Sequence, residues 1–496
     1  MVRIKERFKT MFGYNAVEDK SRRKPPSKRT KHESKVLTAK KRKKLQATAQ
    51  EQIRNHSLVA WMVRKHLDYV STFRFSFRTG KTAVDNLVNR IFHWHGSPRN
   101  LDIAKRLGRD EMFRLFELEK VVSGDAGFIK LAQLKLQGLE SDLIARGSDY
   151  TGTEKINEQG LVVNPSTGER LKFSIANRGN GAQIIHDHIE DADSVIFDGY
   201  WSRFTSQFRG ISPLTTAINT VQDVHEAFEY NLIKAKMHAL FGVAVMRDAL
   251  DEDDIGGAAG ATAETANATA TAAETELDLN PRTINMLDLN KDDTIEMIES
   301  KTPSTEFVAG SYLFIQIAML ALDIPITSFD SRRSSFSARI ADLNEYQVSA
   351  EGKRTKNRHV REEYSDWVID TIWNTPNSPW PLRAVAESAG MNLMDVKQSV
   401  EWIPSGAPWL DKLKQVKGDE LAMKLRLDNP IDASRRRGVD VFKNIDKAIQ
   451  VEVYERDERE AAKLPPAQPL ITEPAEPIDT EEMQDAMREV ASEDQE

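Results

Sequence analysis

The sequence predicts a mainly helical α+β protein, and three observations carry that reading. Charged residues make up 29% of the 496 and aromatics 7%, a balance that suits long solvated helices better than all-β packing. Apolar residues recur at helical spacing in several long stretches. Alternating runs bounded by turn residues cluster in one region, which supplies the β component. With 40% hydrophobic residues the chain has material for a core shared among roughly two to four domains.

Helical spacing begins after a basic arm. Met1 to Lys44 holds seventeen Lys/Arg against four Asp/Glu, a balance of +13, so a net charge of -7 leaves the remainder near -20. The arm is rich in Ser, Lys and Arg and broken by Pro25-Pro26. Its composition predicts disorder over 1–45, with helix beginning after about Thr38. It reads either as a segment that meets nucleic acid or an acidic partner, or as a solubilising tail. Leu45, Ile53, Leu58, Trp61, Met62 and Leu67 predict one amphipathic helical stretch. Phe73 to Arg78 alternates every second residue and predicts a strand with one buried face, with a basic-aromatic nucleic-acid surface as the other reading. Phe113 to Val122 predicts another helix, stopped by Gly124.

The β region follows. Leu161 to Val163 and Leu171 to Ile175 flank Asn164-Pro165-Ser166-Thr167-Gly168 as a hairpin, and Ser194 to Phe197 is a further strand. A long helix then opens at Ser212, a cap residue, with Pro213 in its first turn, and runs along Leu214, Ile218, Val221, Phe228, Leu232 and Ala235. Asp248 to Glu276 is Gly/Ala/Thr/Glu-rich and predicts a loop. Thr283 to Leu287 and Thr294 to Ile298 predict two short strands around Asn290 to Asp293. Phe307 to Leu322 predicts an apolar helix. Ser337 to Trp373 predicts a second long helix, packed at both ends and wet over Lys353 to Arg358. Two or three charged helices reach about Ala462, and an acidic tail closes the chain.

Chemistry is sparse. The absence of cysteine excludes disulfide scaffolds and cysteine-ligated zinc and fits a reducing cytoplasm. The longest apolar run, Tyr312 to Ile326, is interrupted by Gln316 and Asp323 and falls short of the ~20 residues of a membrane span, and no secretory signal is visible. Thr79-Gly80-Lys81-Thr82 resembles the end of a phosphate loop, but Phe75 stands where the first glycine belongs. His186 and His188 would share a strand face as metal ligands, yet nothing completes the set, and a polar strand edge is the simpler reading. No catalytic residue, cofactor or metal site is expected.

The succession of elements from the hairpin onward resembles the lambda-like family of phage portal proteins, over roughly Ile53 to Asp457. Four stretches carry it: the hairpin from Gly160 to Phe173; Gln207-Phe208-Arg209-Gly210-Ile211-Ser212-Pro213-Leu214 at the head of the long helix; Ile284 to Leu287 with Pro303 and Phe307; and Leu320 to Pro325, Asp330-Ser331, Ser334 to Arg339 and Glu345. Departures are Asp323 where the family has Gly, Phe336 where it has Tyr, Phe197 where it has His, the basic Arg332-Arg333 and the Gly/Ala/Thr segment.

The resemblance implies a subunit of a dodecameric ring with a central channel, built from wing, stem, clip and crown. The wing would use 46–212 and 376–415, the stem helices 213–247 and 306–322, and the clip 248–305. The tunnel loop and long helix would be 323–375, the crown 416–464, and the acidic tail 465–496. Double-stranded DNA would pass through the ring, with terminase large subunit, major capsid protein, scaffold and head-tail adaptors as partners and no membrane. The protein would sit at the portal vertex of the virion after assembly in the host cytoplasm. Arg332 and Arg333 would form a basic collar in the tunnel loop, with pairing to nearby carboxylates as the alternative. Arg209 and Gly210 would form a positive-φ turn that, with Pro213, sets the angle of the stem helix. A head-tail adaptor or scaffold binding DNA through the arm is the competing reading. A nuclease or packaging ATPase would need a phosphate loop or an acidic metal cluster, and neither is visible.

Overall fold

The computed structural model describes residues 32–179, 183–240, 243–247, 293–297, 304–406, 412–463 and 465. The chain divides into two compact units, Met1–Pro404 and Ser405–Glu496. The low-complexity segment, the strand expected at 283–287, residues 1–31 of the arm and the tail beyond Pro465 lie outside the described residues.

The first unit begins earlier than composition suggests. Helices α1 (Glu33–Val36) and α2 (Ala39–Asn55) occupy part of the arm expected to be disordered. Lys35, Lys40, Lys43 and Lys44 face solvent, while Leu37, Leu45 and Ala49 pack on Val122 and Ile218. The basic residues thus mask an apolar stripe at helical spacing. Thr38 caps α2 by accepting the Lys41 N–H. The single amphipathic stretch expected over Leu45 to Leu67 is broken at His56, whose backbone is extended, and resumes as α3 (Ser57–Val70).

Strand β1 (Phe73–Phe77) lies antiparallel to β10 (Val400–Pro404), pairing Phe75 with Trp402. Helices α4 (Thr82–His95), α5 (Pro98–Leu101) and α6 (Arg109–Ser123) follow. Thr79 donates from its N–H and hydroxyl to Asp85, so an internal carboxylate sits where the phosphate-loop reading would put an anion. A second sheet has the order β3 (Lys135–Leu139), β2 (Asp125–Leu131), β7 (Val195–Gly199), all antiparallel. The third contains the expected hairpin, β4 (Leu161–Val163) and β5 (Arg170–Arg178), extended by β6 (Ile184–Asp191). His186 and His188 lie on β6, where His188 pairs with Asp187 and Glu190.

The long helix α7 runs Ile218–Leu240 after a 3-10 turn at Pro213–Thr216. It stops short of the expected end at 247, because Val243–Arg247 is strand β8, paired with β9 (Asp293–Met297). The apolar helix α8 (Thr305–Met319) continues through a 3-10 turn to Leu322. Thr305–Leu322 is the one described stretch long and apolar enough to cross a membrane, a stretch the sequence reading had divided at Asp323.

Helix α9 (Phe336–Asn374) spans 39 residues and inverts the sequence expectation. Its first turns are exposed, and its charged middle is buried. Arg354 donates from Nε to Tyr69 O at 2.7 Å, and Arg361 donates to Ser71 O at 2.6 Å while stacking on Phe73 and Phe113. The end of α3 and the start of β1 offer bare carbonyls there, and guanidinium groups satisfy them. The main core then gathers Phe92, Phe113, Tyr364, Val368 and Trp402, closed by α10 (Leu382–Ser388) and α11 (Leu393–Gln398). The second unit is helical among its described residues: α12 (Lys412–Lys424), α13 (Pro430–Arg436) and α14 (Val441–Ala461). Its first helix starts a few residues before the boundary expected at 416.

Candidate channel loop and its buried anchor

The turn at Gln207-Phe208-Arg209-Gly210 is held from inside. The Gln207 carboxamide oxygen accepts the N–H groups of Ser202 and Arg203, and its nitrogen donates to Tyr200 O and Arg209 O. This ties the loop 200–209 to one side chain. Arg209 is completely buried and grips Asp125 with two parallel hydrogen bonds, Nε to Oδ2 at 2.8 Å and Nη2 to Oδ1 at 2.7 Å. Its remaining protons go to the carbonyls of Ser141, Ile144 and Gln159. A planar fork with five donors suits this arrangement; a lysine could not fill it. Burial would raise the Asp125 pKa, but the Arg209 charge and hydrogen bonds outweigh it and hold the carboxyl below its usual range.

Gly210 is needed for a different reason than a positive φ. The residue with positive φ is Gly124, at 100°, the stop signal of α6. Tyr200 N–H reaches Gly124 O at 2.9 Å, and Gly210 N–H donates to Asp125 at 2.7 Å, which brings the two glycines back to back. A Cβ on Gly210 would overlap the carbonyl oxygen of Gly124, and one on Gly124 would overlap Gly210. The chain then leaves through Ser212, whose hydroxyl donates to Val121 O and caps Leu214 N–H, with Pro213 in the first turn as expected.

A second buried network stands beside this anchor. Glu117 of α6 accepts from His66 Nε2 and Tyr200 Oη at 2.8 Å each and from Asn357 Nδ2 at 2.9 Å. Lys120 bridges Glu117 and Asp198. Burial disfavours the Glu117 anion, yet Lys120 and His66 hold its pKa well below the usual carboxylate range. The network joins α3, α6, β7 and α9, so the root of the long helix and the wing sheet share one polar centre.

The loop from Asp323 to Ser335 joins α8 to α9. Asp323 is left-handed, φ 57°, and its carboxylate accepts from Ser349 at 2.8 Å and Lys353 at 2.7 Å. Ile324 is buried below it. Arg332 lies in a 3-10 turn, its side chain 95% exposed and its Nε 3.8 Å from Asp330. That long, wet pair holds the guanidinium only weakly. The Arg333 side chain lies outside the described residues. Arg332 therefore stands apart from the Arg209 anchor.

Sequence reasoning missed Asp125, Glu117, Ser141 and the Asp323 latch. Asp125 follows the stop glycine directly, and Glu117 and Lys120 are charged residues at i, i+3 within an otherwise apolar series. Those positions were the available signals.

A family model described as "Phage portal protein, lambda family" matches residues 20–354. The chain belongs to that family. As a portal protein it is a structural component of the capsid vertex rather than a member of an enzyme family. No curated protein matches it. Among solved structures it is similar to a chain of the virion of a native gene transfer agent particle, at 12% identity and a TM-score of 0.39, covering 85% of this chain and 93% of that one. A chain from the neck of an empty particle of the same kind, computed with C6 symmetry, gives 10% identity and a TM-score of 0.40, covering 84% and 94%. A third, from the native neck computed with C12 symmetry, gives 11% and 0.37, covering 79% and 93%.

Proposed function

We propose that copies of this portal chain close into a twelve-membered ring, and that double-stranded DNA passes through its bore during packaging and ejection. The observation that carries the ring is the uncovered apolar surface of α7 and α8. Phe228 and Phe307 meet edge to face between the two helices. Leu232, Ile233, Leu313, Phe314 and Ile317 nevertheless remain about half exposed, and only 22% of Thr305–Leu322 is buried. A contiguous apolar face on a helix pair marks an interaction surface, and neighbouring stem helices of a ring would cover it.

In that ring α7 and α8 form the stem, residues between them the clip, 323–338 the channel loop, and the helices of the second unit the crown. Terminase large subunit, major capsid protein, scaffold and head-tail adaptors would dock on it, with assembly in the host cytoplasm. The acidic balance of the chain beyond the arm disfavours tight phosphate contact, so DNA would slide. Arg332, projecting and weakly paired, supports a contact collar in the channel loop together with Arg333. Electron microscopy of the purified full chain tests the ring: annuli with a central hole are expected, and particles that stay monomeric at all concentrations would refute it. Replacing Arg332 and Arg333 together by alanine should lower genome retention without changing ring yield; unchanged retention removes the collar.

A further inference from the structure

A groove of about 340 Å³ runs between α6 and the β2–β3 hairpin, away from the channel loop. Met112, Phe116, Phe128 and Leu139 form its floor, and Ile103 and Leu115 stand on its lips, 49% and 45% exposed. One end is acidic. Glu119 and Glu140 line it, and Asp142 follows. Glu140 and Asp142 share Arg178, whereas Glu119 accepts the Ser141 N–H and has no ion-pair partner among the described residues. Burial pushes the Glu119 pKa up, and Asp142 and Glu140 add to the rise. The end of the groove therefore holds more negative charge than its own cations balance. Arg106 lies at the opposite end.

The chain itself carries a segment of matching chemistry. At 100° per residue, Met1, Ile4, Phe8, Met11 and Phe12 fall in one stripe, and Arg3, Arg7 and Lys9 fall outside it. This is the pattern of a basic amphipathic segment that lays an apolar face into a groove. The described chain begins close by. Ser34 N–H bonds Ser206 O, and Arg42 of α2 donates to Ser141, the residue that also donates to Glu119. The ~20 residues between Phe12 and His32 can span up to about 66 Å, so distance is no obstacle.

We infer that the α6–β2–β3 groove is the docking site for the N-terminal segment Met1 to Phe12, with its apolar stripe on the groove floor and its cations at the Glu119–Glu140 end. The segment is then a strap on the wing rather than a DNA-binding tail. The proposal does not depend on the ring, because every residue of the groove belongs to one subunit.

The absence of cysteine makes the test direct. In the full chain, Phe8→Cys is combined with Leu115→Cys on the groove lip, or with Thr167→Cys at the exposed hairpin turn. Thr167 precedes Gly168, which packs on Thr205 near the start of the described chain, so it controls for mere proximity. A short bismaleimide linker should couple position 8 to 115 at least tenfold more than to 167. A product at the mass of one chain or of two supports the docking equally and reports whether the strap is its own or a neighbour's. Gly138 lines the groove with open space where a side chain would stand, so Gly138→Trp should fill the groove, abolish the coupling and leave the melting temperature unchanged. Equal coupling to 115 and 167, or coupling that survives Gly138→Trp, overturns the proposal. So does coupling to neither position, with binding to anionic phospholipid vesicles as the diagnostic for a lipid surface as the true occupant.

Discussion

The wing core and the stem helices solve the burial problem in opposite ways. Around Tyr364 and Trp402 the chain closes on itself: helices α4, α6 and α9 and strands β1 and β10 cover one another, and even His95 is enclosed between Tyr364 and Leu134. Along α7 and α8 the same chain leaves Leu313, Phe314 and Leu320 facing outward. A core that closes within one chain makes a subunit that folds alone. An apolar helix pair that does not close needs other copies. The polar networks mark the border between the two, because Asp125–Arg209 and Glu117–Lys120 lie where the wing hands the chain to the stem.

The comparison can be broken at that border first. Asp125→Ala strands the Arg209 guanidinium in a dry interior, and removing one partner of such a pair costs about 3–5 kcal/mol. We expect this variant to lose soluble yield and to melt far below wild type by calorimetry. A melt within two or three degrees would mean that the anchor is peripheral. Next in size, Leu313→Asp with Ile317→Asp should abolish rings in light scattering while leaving the wing's near-UV circular dichroism intact. Loss of both signals together would show that the stem supports the wing fold, against the division drawn above.

A smaller effect sharpens the wing side. Burial lowers the His95 pKa from 6.5 to about 4, so the folded state keeps it neutral while the unfolded chain takes up a proton below 6.5. Above pH 6.5 neither state is protonated and the term vanishes. As pH falls from 6.5 to 4 the unfolded state binds more protons and stability drops, by on the order of 3 kcal/mol. Denaturant titrations of wild type and His95→Gln should show a flatter pH slope for the variant in that window, and identical slopes would remove His95 as the cause. The smallest change expected is Asp323→Gly. It relieves a left-handed aspartate but frees Lys353 and Ser349, so stability should move by no more than about 1 kcal/mol. Hydrogen exchange across 323–335 should quicken, and unchanged exchange would mean the latch does not restrain the loop.

What the sequence disclosed follows the same border. The Asn164–Gly168 turn, the Gly124 stop and the Ser212-Pro213 helix start were legible because each is a local signal with a local cause. The middle of α9 was misread because Arg354 and Arg361 look like surface residues until the bare carbonyls of Tyr69 and Ser71 are placed against them. β8 was absorbed into α7 because Val243 to Met246 continues an apolar run, and strand pairing with Asp293–Met297 is a contact across a long sequence gap. Arg209 and Gly210 were found, but the need for Gly210 came from Gly124 on another element, which no spacing along the chain reveals. Residues 32–45 looked like a solvated tail because their lysines outnumber the few apolar side chains that hold them down.

The central claim, that neighbouring copies complete the stem, is tested most directly by labelling. With no native cysteine, Leu313→Cys and Thr167→Cys each place one thiol on the chain, the first on the stem and the second at the hairpin turn. Purified under conditions where the chain is assembled, Leu313→Cys should react with maleimide at least tenfold more slowly than after dissociation, while Thr167→Cys reacts at one rate in both states. Equal reactivity of Leu313→Cys before and after dissociation would contradict the account.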